Sequence, residues 1–160
     1  GGEMAARLGA DYRHLRIFSV YGPGDHETSL VASAVRAART GETATFGLCA
    51  QQWNFLALAD AVRALRLLGE AETLQTDGNP VFNVGSLDTR ALRHFVEEIF
   101  ETAGKPASLA SFLPRETGPE GTPYLAPDIA KLLRNIAWTP EISFRAGVRD
   151  LLSGTANGEN

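Results

Sequence analysis

Apolar residues along the chain fall into two kinds of pattern, helical stripes and short unbroken runs, and the two alternate from end to end. Over residues 3–9, Met4, Ala5 and Leu8 share one helical face, and Gly9 is placed to end that helix. Leu15, Ile17 and Phe18 form a short apolar run that predicts a buried strand, closed by the turn residues Gly22, Pro23 and Gly24. From Ser29 to Thr40, the positions Leu30, Val31, Ala34, Val35 and Ala38 make an i, i+4 stripe with Gly41 after its end. Residues 43–58 predict two short strands around a turn at Gly47, because Phe46, Phe55 and Leu58 lack helical spacing. Asp60 then reads as the cap of a helix over 61–69, with Ala61, Leu65 and Leu68 on one face.

The alternation continues. Residues 81–84 predict a strand after the turn at 77–80, and Asp88 or Thr89 caps a helix whose face is Leu92, Phe95, Val96, Ile99 and Phe100. Residues 107–113 predict a further strand, and 114–126, with three prolines and two glycines, a loop. Two helices finish the pattern, over 128–137 with Asp128 as cap and over 143–152, before a frayed tail at 153–160. Alternating helices and strands indicate the α/β class.

Composition narrows the functions available. The 160 residues carry 44% hydrophobic and 21% charged side chains, a globular balance. With 15 Lys and Arg against 19 Asp and Glu, the formal charge is -4, which disfavours a nucleic-acid binder working through a basic face. Charged or amide residues interrupt every apolar stretch long before membrane-spanning length. The single Cys49 forms no internal disulfide, and His14, His26 and His94 show no metal or triad spacing, so a reducing cytoplasm is the expected setting. Glu97, Glu98 and Glu101 read as a solvated helix face, and Trp138-Thr139-Pro140 as a packing turn.

Four segments, in order, resemble one family. The segment Arg16-Ile17-Phe18-Ser19-Val20-Tyr21-Gly22-Pro23 is similar to the R-x-x-N-V-Y-G-P segment of the extended short-chain dehydrogenase/reductases, the NAD-dependent epimerase/dehydratases acting on nucleotide sugars. Residues 51–60, from Gln51 through Trp53 and Asn54 to Asp60, resemble their Q-x-[RW]-D-[FY]-x-x-V-x-D segment. Asn83-Val84-Gly85-Ser86 resembles N-x-G-s. The run from Pro127 through Lys131 and Trp138 to Gly147 resembles the family's ending.

The resemblance implies an α/β fold: the last strands of a Rossmann-like doubly wound sheet plus a small mixed α/β substrate-binding subdomain. It also implies that residues 1–152 are the C-terminal, substrate-binding portion. The family's G-x-x-G-x-x-G loop, which lets backbone amides approach a pyrophosphate, has no counterpart here. Its Y-x-x-x-K pair has none either, and by family spacing the chain starts just past that Lys. The N-terminal dinucleotide-binding half is therefore expected to lie outside this sequence, and the chain alone is expected to bind NAD or NADP weakly and not to catalyse.

Residue by residue, the resemblance turns Ile17 and Phe18 toward the cofactor and Ser19 toward the substrate, although the apolar pattern alone makes Ile17 and Phe18 a core strand. Family members usually have Asn where Ser19 stands. Ser29 and Leu30, opening a helix, offer backbone amides to the nucleotide, and Gln51 offers an amide side chain. Trp53 stands where many relatives have a phosphate-binding Arg, and it reads equally as pocket wall and as core. Arg115, in the 114–126 loop, resembles the family's late phosphate-binding Arg, and Tyr124 its base-stacking aromatic.

The implied function is the substrate-binding part of a nucleotide-sugar epimerase, dehydratase or reductase that uses NAD(P) hydride transfer at a hexose carbon. Its implied partners are a nucleoside-diphosphate sugar and, through the helix of residues 3–9, a second copy in a homodimer. Alternatives from other classes are a non-catalytic ligand-sensing or scaffold protein that keeps the fold, and a purely structural dimerisation piece.

Overall fold

The computed structural model describes residues 1–76, 78–114 and 124–154. The elements run α1 (Gly2–Arg7), β1 (His14–Ile17), β2 (Ser19–Tyr21), α2 (Leu30–Thr40), β3 (Ala44–Phe46), β4 (Gln52–Ala57) and α3 (Leu58–Glu70). They continue β5 (Val81–Val84), β6 (Thr89–Ala91), α4 (Leu92–Thr102), β7 (Ala110–Phe112), α5 (Ala130–Asn135) and α6 (Phe144–Ser153). Strand β1 pairs parallel with β5, from His14 opposite Val81 to Ile17 opposite Val84. Strand β2 pairs parallel with β4, which also pairs antiparallel with β6, and β3 pairs parallel with β7. Parallel partners cannot be joined by a tight turn, so each parallel pair is linked through at least one helix.

Two cores result. One gathers α2, α4 and α6 around Phe55, Phe95 and Phe144, whose ring centroids lie 4.8–5.6 Å apart. The other packs α3 and α5 on Phe82 and Val84 of β5 and Leu56 of β4. The chain passes from the β1–β5 ladder to the β2–β4 ladder at Phe18. The Phe18 N–H still bonds the Val84 carbonyl at 2.9 Å, and Ser19 then begins the ladder with β4. The predicted single strand that opens at Leu15 and is closed by the turn at Gly22 is thus two strands serving two sheets. Ile17 is not core, being 47% exposed, because β1 has no partner on its other edge among the described residues.

Several local expectations are corrected by contacts distant in sequence. Asp60 does not cap α3, which starts at Leu58. It is 1% exposed and accepts the N–H groups of Glu141 at 3.0 Å and Ile142 at 2.9 Å and an Arg63 N–H at 2.7 Å. Trp138 donates its indole N–H to the Asp60 carbonyl at 3.1 Å, so the 138–142 segment is fastened to the start of α3. Neither Asp88 nor Thr89 caps α4: Thr89–Ala91 is strand β6, held by β4. The 107–113 strand shrinks to β7, preceded by a 3-10 turn, and the 128–137 helix to α5, where the Asp128 carboxylate still accepts the Ala130 N–H at 2.9 Å. The strands around Gly47 exist, but they pair with β7 and with β2 and β6 rather than with each other. Glu98 is not on a solvated face: its side chain is 13% exposed and ion-paired to Arg90 and Arg145.

Two glycines are required by close approach. A Cβ on Gly147 would overlap the Tyr21 phenol, and one on Gly85 would overlap the Pro127 ring. Residues 153–154 close α6, with Gly154 left-handed at φ 71, while the remainder of the predicted tail lies outside the described residues.

Candidate functional site

The start of β2, the N-terminus of α2 and strand β4 converge because β2 and β4 are paired with Ser19 opposite Phe55. Around that point Ser19, Asp25, Ser29, Leu30, Trp53, Phe55 and the first residue of α4, Leu92, line a pocket of about 280 Å³. Leu30 also belongs to a neighbouring hollow of about 670 Å³ formed with Thr28, Ser33, the β3 residues Thr45 and Phe46, and Leu113 and Pro114. Four sequence-predicted substrate residues, Ser19, Ser29, Leu30 and Trp53, are thus brought to one cavity.

Local chemistry fixes this wall. Ser29 caps α2: its Oγ accepts the Ala32 N–H at 3.1 Å and donates to Asp25 Oδ2 at 2.7 Å. Asp25 Oδ1 accepts the His26 N–H at 2.8 Å. Among the described residues lining the two hollows, Asp25 is the charged side chain, and the α2 N-terminus supplies the positive end of a helix dipole. Trp53 is half-buried against the aromatic core, 6.5 Å from the Phe55 ring, and it lines the pocket as well.

The remaining candidates sit elsewhere. Ile17 and Phe18 precede the pocket on the β1 side and do not line it. Gln51 is half-buried, and its carbonyl accepts the Leu92 N–H at 2.8 Å, which anchors α4. Tyr124 is 64% exposed and bridges to Gln52, with the Leu125 N–H bonded to the Gln52 carbonyl at 2.9 Å. Arg115 lies outside the described residues.

Asp25, Phe55 and Leu92 carry no sequence signal that marks them as site residues. The S-x-x-x cap pattern at Ser29 hints at a structured turn, but nothing local announces that β4 and α4 meet there. Tyr21, just behind the pocket, is 2% exposed with its hydroxyl 3.4 Å from the Phe144 carbonyl. Burial, reinforced by the carboxylates of Asp60, Asp150, Glu98 and Asp88, pushes its phenol above the usual range. Among the described residues no three His, Cys, Asp or Glu side chains form a metal-holding group, and no helix is long and apolar enough to cross a membrane.

A model of the NAD dependent epimerase/dehydratase family matches residues 3–85, the segment that carries β1, β2, α2, β4 and all of the pocket lining except Leu92. The chain belongs to this family. A dTDP-6-deoxy-L-talose 4-dehydrogenase (NAD(P)(+)) from Kitasatospora kifunensis is 33% identical over 144 residues, covering 86% of this chain and 44% of that protein. RMD from Pseudomonas aeruginosa, solved with NADPH, superposes with a TM-score of 0.77 at 24% identity, over 94% of this chain and 50% of its own. The dTDP-glucose 4,6-dehydratase from Bacillus anthracis, solved with NAD, gives 0.80 at 17% identity, over 98% and 48%. The last two likenesses establish the Rossmann-like α/β fold. The chain spans about half the length of the relatives it matches.

Proposed function

We propose that this chain is the substrate-binding portion of an NAD(P)-dependent enzyme that modifies the hexose of a nucleoside-diphosphate sugar. The observation that carries the reading is the convergence of Ser19, Ser29, Leu30 and Trp53 on one pocket in a chain of this family. The 4-dehydrogenase relative favours oxidation or reduction at a hexose carbon over the family's other outcomes, with a deoxythymidine diphosphate as the nucleotide.

Residues 1–152 would then be the C-terminal part of a longer polypeptide whose other part holds the dinucleotide. Three surfaces support that division: the unpartnered edge of β1 among the described residues, the 47% exposed Ile17, and an apolar outer face on α3 made by Leu58, Val62 and Leu65. Short parallel sheets with open edges are poorly stable by themselves. An exposed apolar Ile17 with Phe18 at the end of β1 suits the face of a nicotinamide ring. When bound, NAD or NADP would accept or donate hydride at the sugar. The residues of this chain would hold the nucleotide against α2 and orient the hexose at Ser19. Helix α1, with Met4 58% and Leu8 73% exposed, would pair with a second copy in a homodimer.

The test is calorimetric titration of dTDP into the complete polypeptide and its Arg115→Ala variant. Loss of a charge-assisted contact worth about 1.5–3 kcal/mol weakens binding about tenfold to hundredfold with an unchanged thermal midpoint. Unchanged binding reassigns Arg115 to ordinary surface, and no dTDP binding by the parent protein overturns the nucleotide-sugar reading.

A further inference from the structure

The β2–β4 and β4–β6 registers line up four side chains in a row across three strands. Ser19 stands opposite Phe55, Trp53 lies two residues before Phe55 on the same face of β4, and Arg90 of β6 stands opposite Trp53. The first three line the pocket of about 280 Å³ and Arg90 does not. Its guanidinium lies over the aromatic core, 4.2 Å from the Phe95 ring centre and 5.8 Å from that of Phe144. Arg90 Nη2 pairs with Asp88 at 3.3 Å and with Glu98, and Glu98 also holds Arg145 of α6 at 2.9 Å. This placement carries a cost, because Arg90 Nε is buried with no hydrogen-bond partner among the described residues. A Met side chain would cover the Phe95 ring without an unpaired donor. Glu98 would keep Arg145, and Asp88 is exposed, so neither carboxylate would be stranded.

We propose that Arg90 is a positioning residue, holding two walls of the pocket in their binding arrangement from outside it. Rooted in β6 and ion-paired to Glu98 of α4, Arg90 fixes the corner between these two elements. That corner carries Leu92, the first residue of α4 and a wall of the pocket. Across the ladder, the fixed Arg90 stem is the neighbour of Trp53, whose indole has Phe55 as its neighbour along β4. Trp53 and Leu92 thus stand in place before a ligand arrives, and less ordering remains for binding to accomplish. The inference rests on the nucleotide-sugar reading above and adds to it a residue that shapes the pocket without touching its contents.

The test titrates dTDP and dTDP-glucose into the complete polypeptide and its Arg90→Met and Arg90→Lys variants, with thermal midpoints alongside. Arg90→Met should bind dTDP-glucose about twofold to thirtyfold more weakly, the range for a residue that acts on a site through others. Its midpoint should equal or exceed the parent's. dTDP lacks the hexose that Ser19 orients and should be weakened less. Arg90→Lys keeps a charge for Glu98, so it should recover part of the affinity while its midpoint stays at or below that of the Met variant. A merely structural role would instead make affinity follow the midpoint, and that outcome overturns the inference. So do unchanged dTDP-glucose binding in Arg90→Met, equal weakening of the two ligands, and failure of Arg90→Met to fold. Failure of the parent protein to bind either ligand overturns it together with the nucleotide-sugar reading.

Discussion

Asn54 and Ser86 hold each other through both backbone groups of Ser86: Asn54 Nδ2 donates to the Ser86 carbonyl at 3.0 Å, and Asn54 Oδ1 accepts the Ser86 N–H at 2.9 Å. The same Nδ2 lies 3.0 Å from the Asp88 carbonyl and from Thr89 Oγ1, and Asn54 is fully buried. One amide thereby ties the turn between β5 and β6 to β4, beside the pocket wall at Trp53. A carboxylate at this position accepts hydrogen bonds but donates none, and it would face two carbonyl oxygens.

Asn54→Asp should therefore destabilise the fold by about 2–4 kcal/mol at neutral pH, the cost of leaving buried acceptors unpaired against a buried charge. Protonation restores one donor, so the deficit should shrink as pH falls toward the carboxyl range. Urea midpoints of parent and variant at pH 7 and pH 4 check this. A constant difference would mean that the donated bonds contribute nothing.

Asp60 is the corresponding knot for the second core. Its carboxylate gathers the Glu141 and Ile142 amides and the Arg63 guanidinium at 1% exposure, and the Asp60 carbonyl receives Trp138. Asp60→Ala leaves the Glu141 and Ile142 amides without their acceptor, while Arg63 keeps the Thr139 carbonyl and the Glu141 carboxylate, and should cost about 1–3 kcal/mol per orphaned amide. Hydrogen exchange at the Glu141 and Ile142 amides should accelerate more than that of the β4 ladder. Uniform acceleration would indicate global loosening and not a local fastening.

The boundary between what was legible in the sequence and what was not runs between local and distant causes. Helices α2 and α4 were readable because their stripes, Leu30 through Ala38 and Leu92 through Phe100, need only their own periodicity. The break at Phe18, strand β6 and the shielding of Glu98 were not, since each depends on a partner far along the chain: β4 for the first two, and Arg145 for the third. At the site, Ser19 and Trp53 came from likeness to a family, and pattern alone gave no sign of them. Their meeting with Asp25 and Leu92 is a product of the β2–β4 register. Asp60 looked like a cap because Asp near a helix start usually is one.

Tyr21 links the first core to alkaline stability. Its phenol is raised in the folded state by burial first and by nearby carboxylates second. A raised folded value means that the folded state holds the proton more tightly than the unfolded chain. Its contribution is complete below the unfolded value near 10 and is lost as pH climbs from there through the folded one. Of three tyrosines, one should ionise late in a spectrophotometric titration, and Tyr21→Phe should remove that late step. The variant should also lose less stability above about pH 10 than the parent. A late step that survives in Tyr21→Phe would assign it to Tyr12 or Tyr124.

Trp53 and Arg90 stand directly opposite each other in the β4–β6 pair, so their side chains share a face of the sheet. Arg90 is already placed, with its guanidinium 4.2 Å from the Phe95 ring centre and paired to Asp88 at 3.3 Å and to Glu98. Trp53→Arg introduces the commoner family residue and a charge for a diphosphate, but it also sets two guanidinium groups face to face. The like-charge repulsion should cost about 0.2–1 kcal/mol on top of the indole's missing apolar packing, and salt should screen it. Trp53→Ala removes apolar packing alone. Because Trp53 is half-buried, that variant should cost less than the roughly 3–5 kcal/mol of a fully buried Trp, with little salt dependence. Urea midpoints of both variants at low salt and at about 1 M salt separate the two causes, since screening at the higher concentration reaches only about 3 Å. The Arg variant should recover part of its deficit and the Ala variant none. If the two respond alike, Arg90 is neutralised well enough by Asp88 and Glu98 that the opposite position is free to carry a cation. Any increase in dTDP affinity in Trp53→Arg would then come without a stability penalty from Arg90.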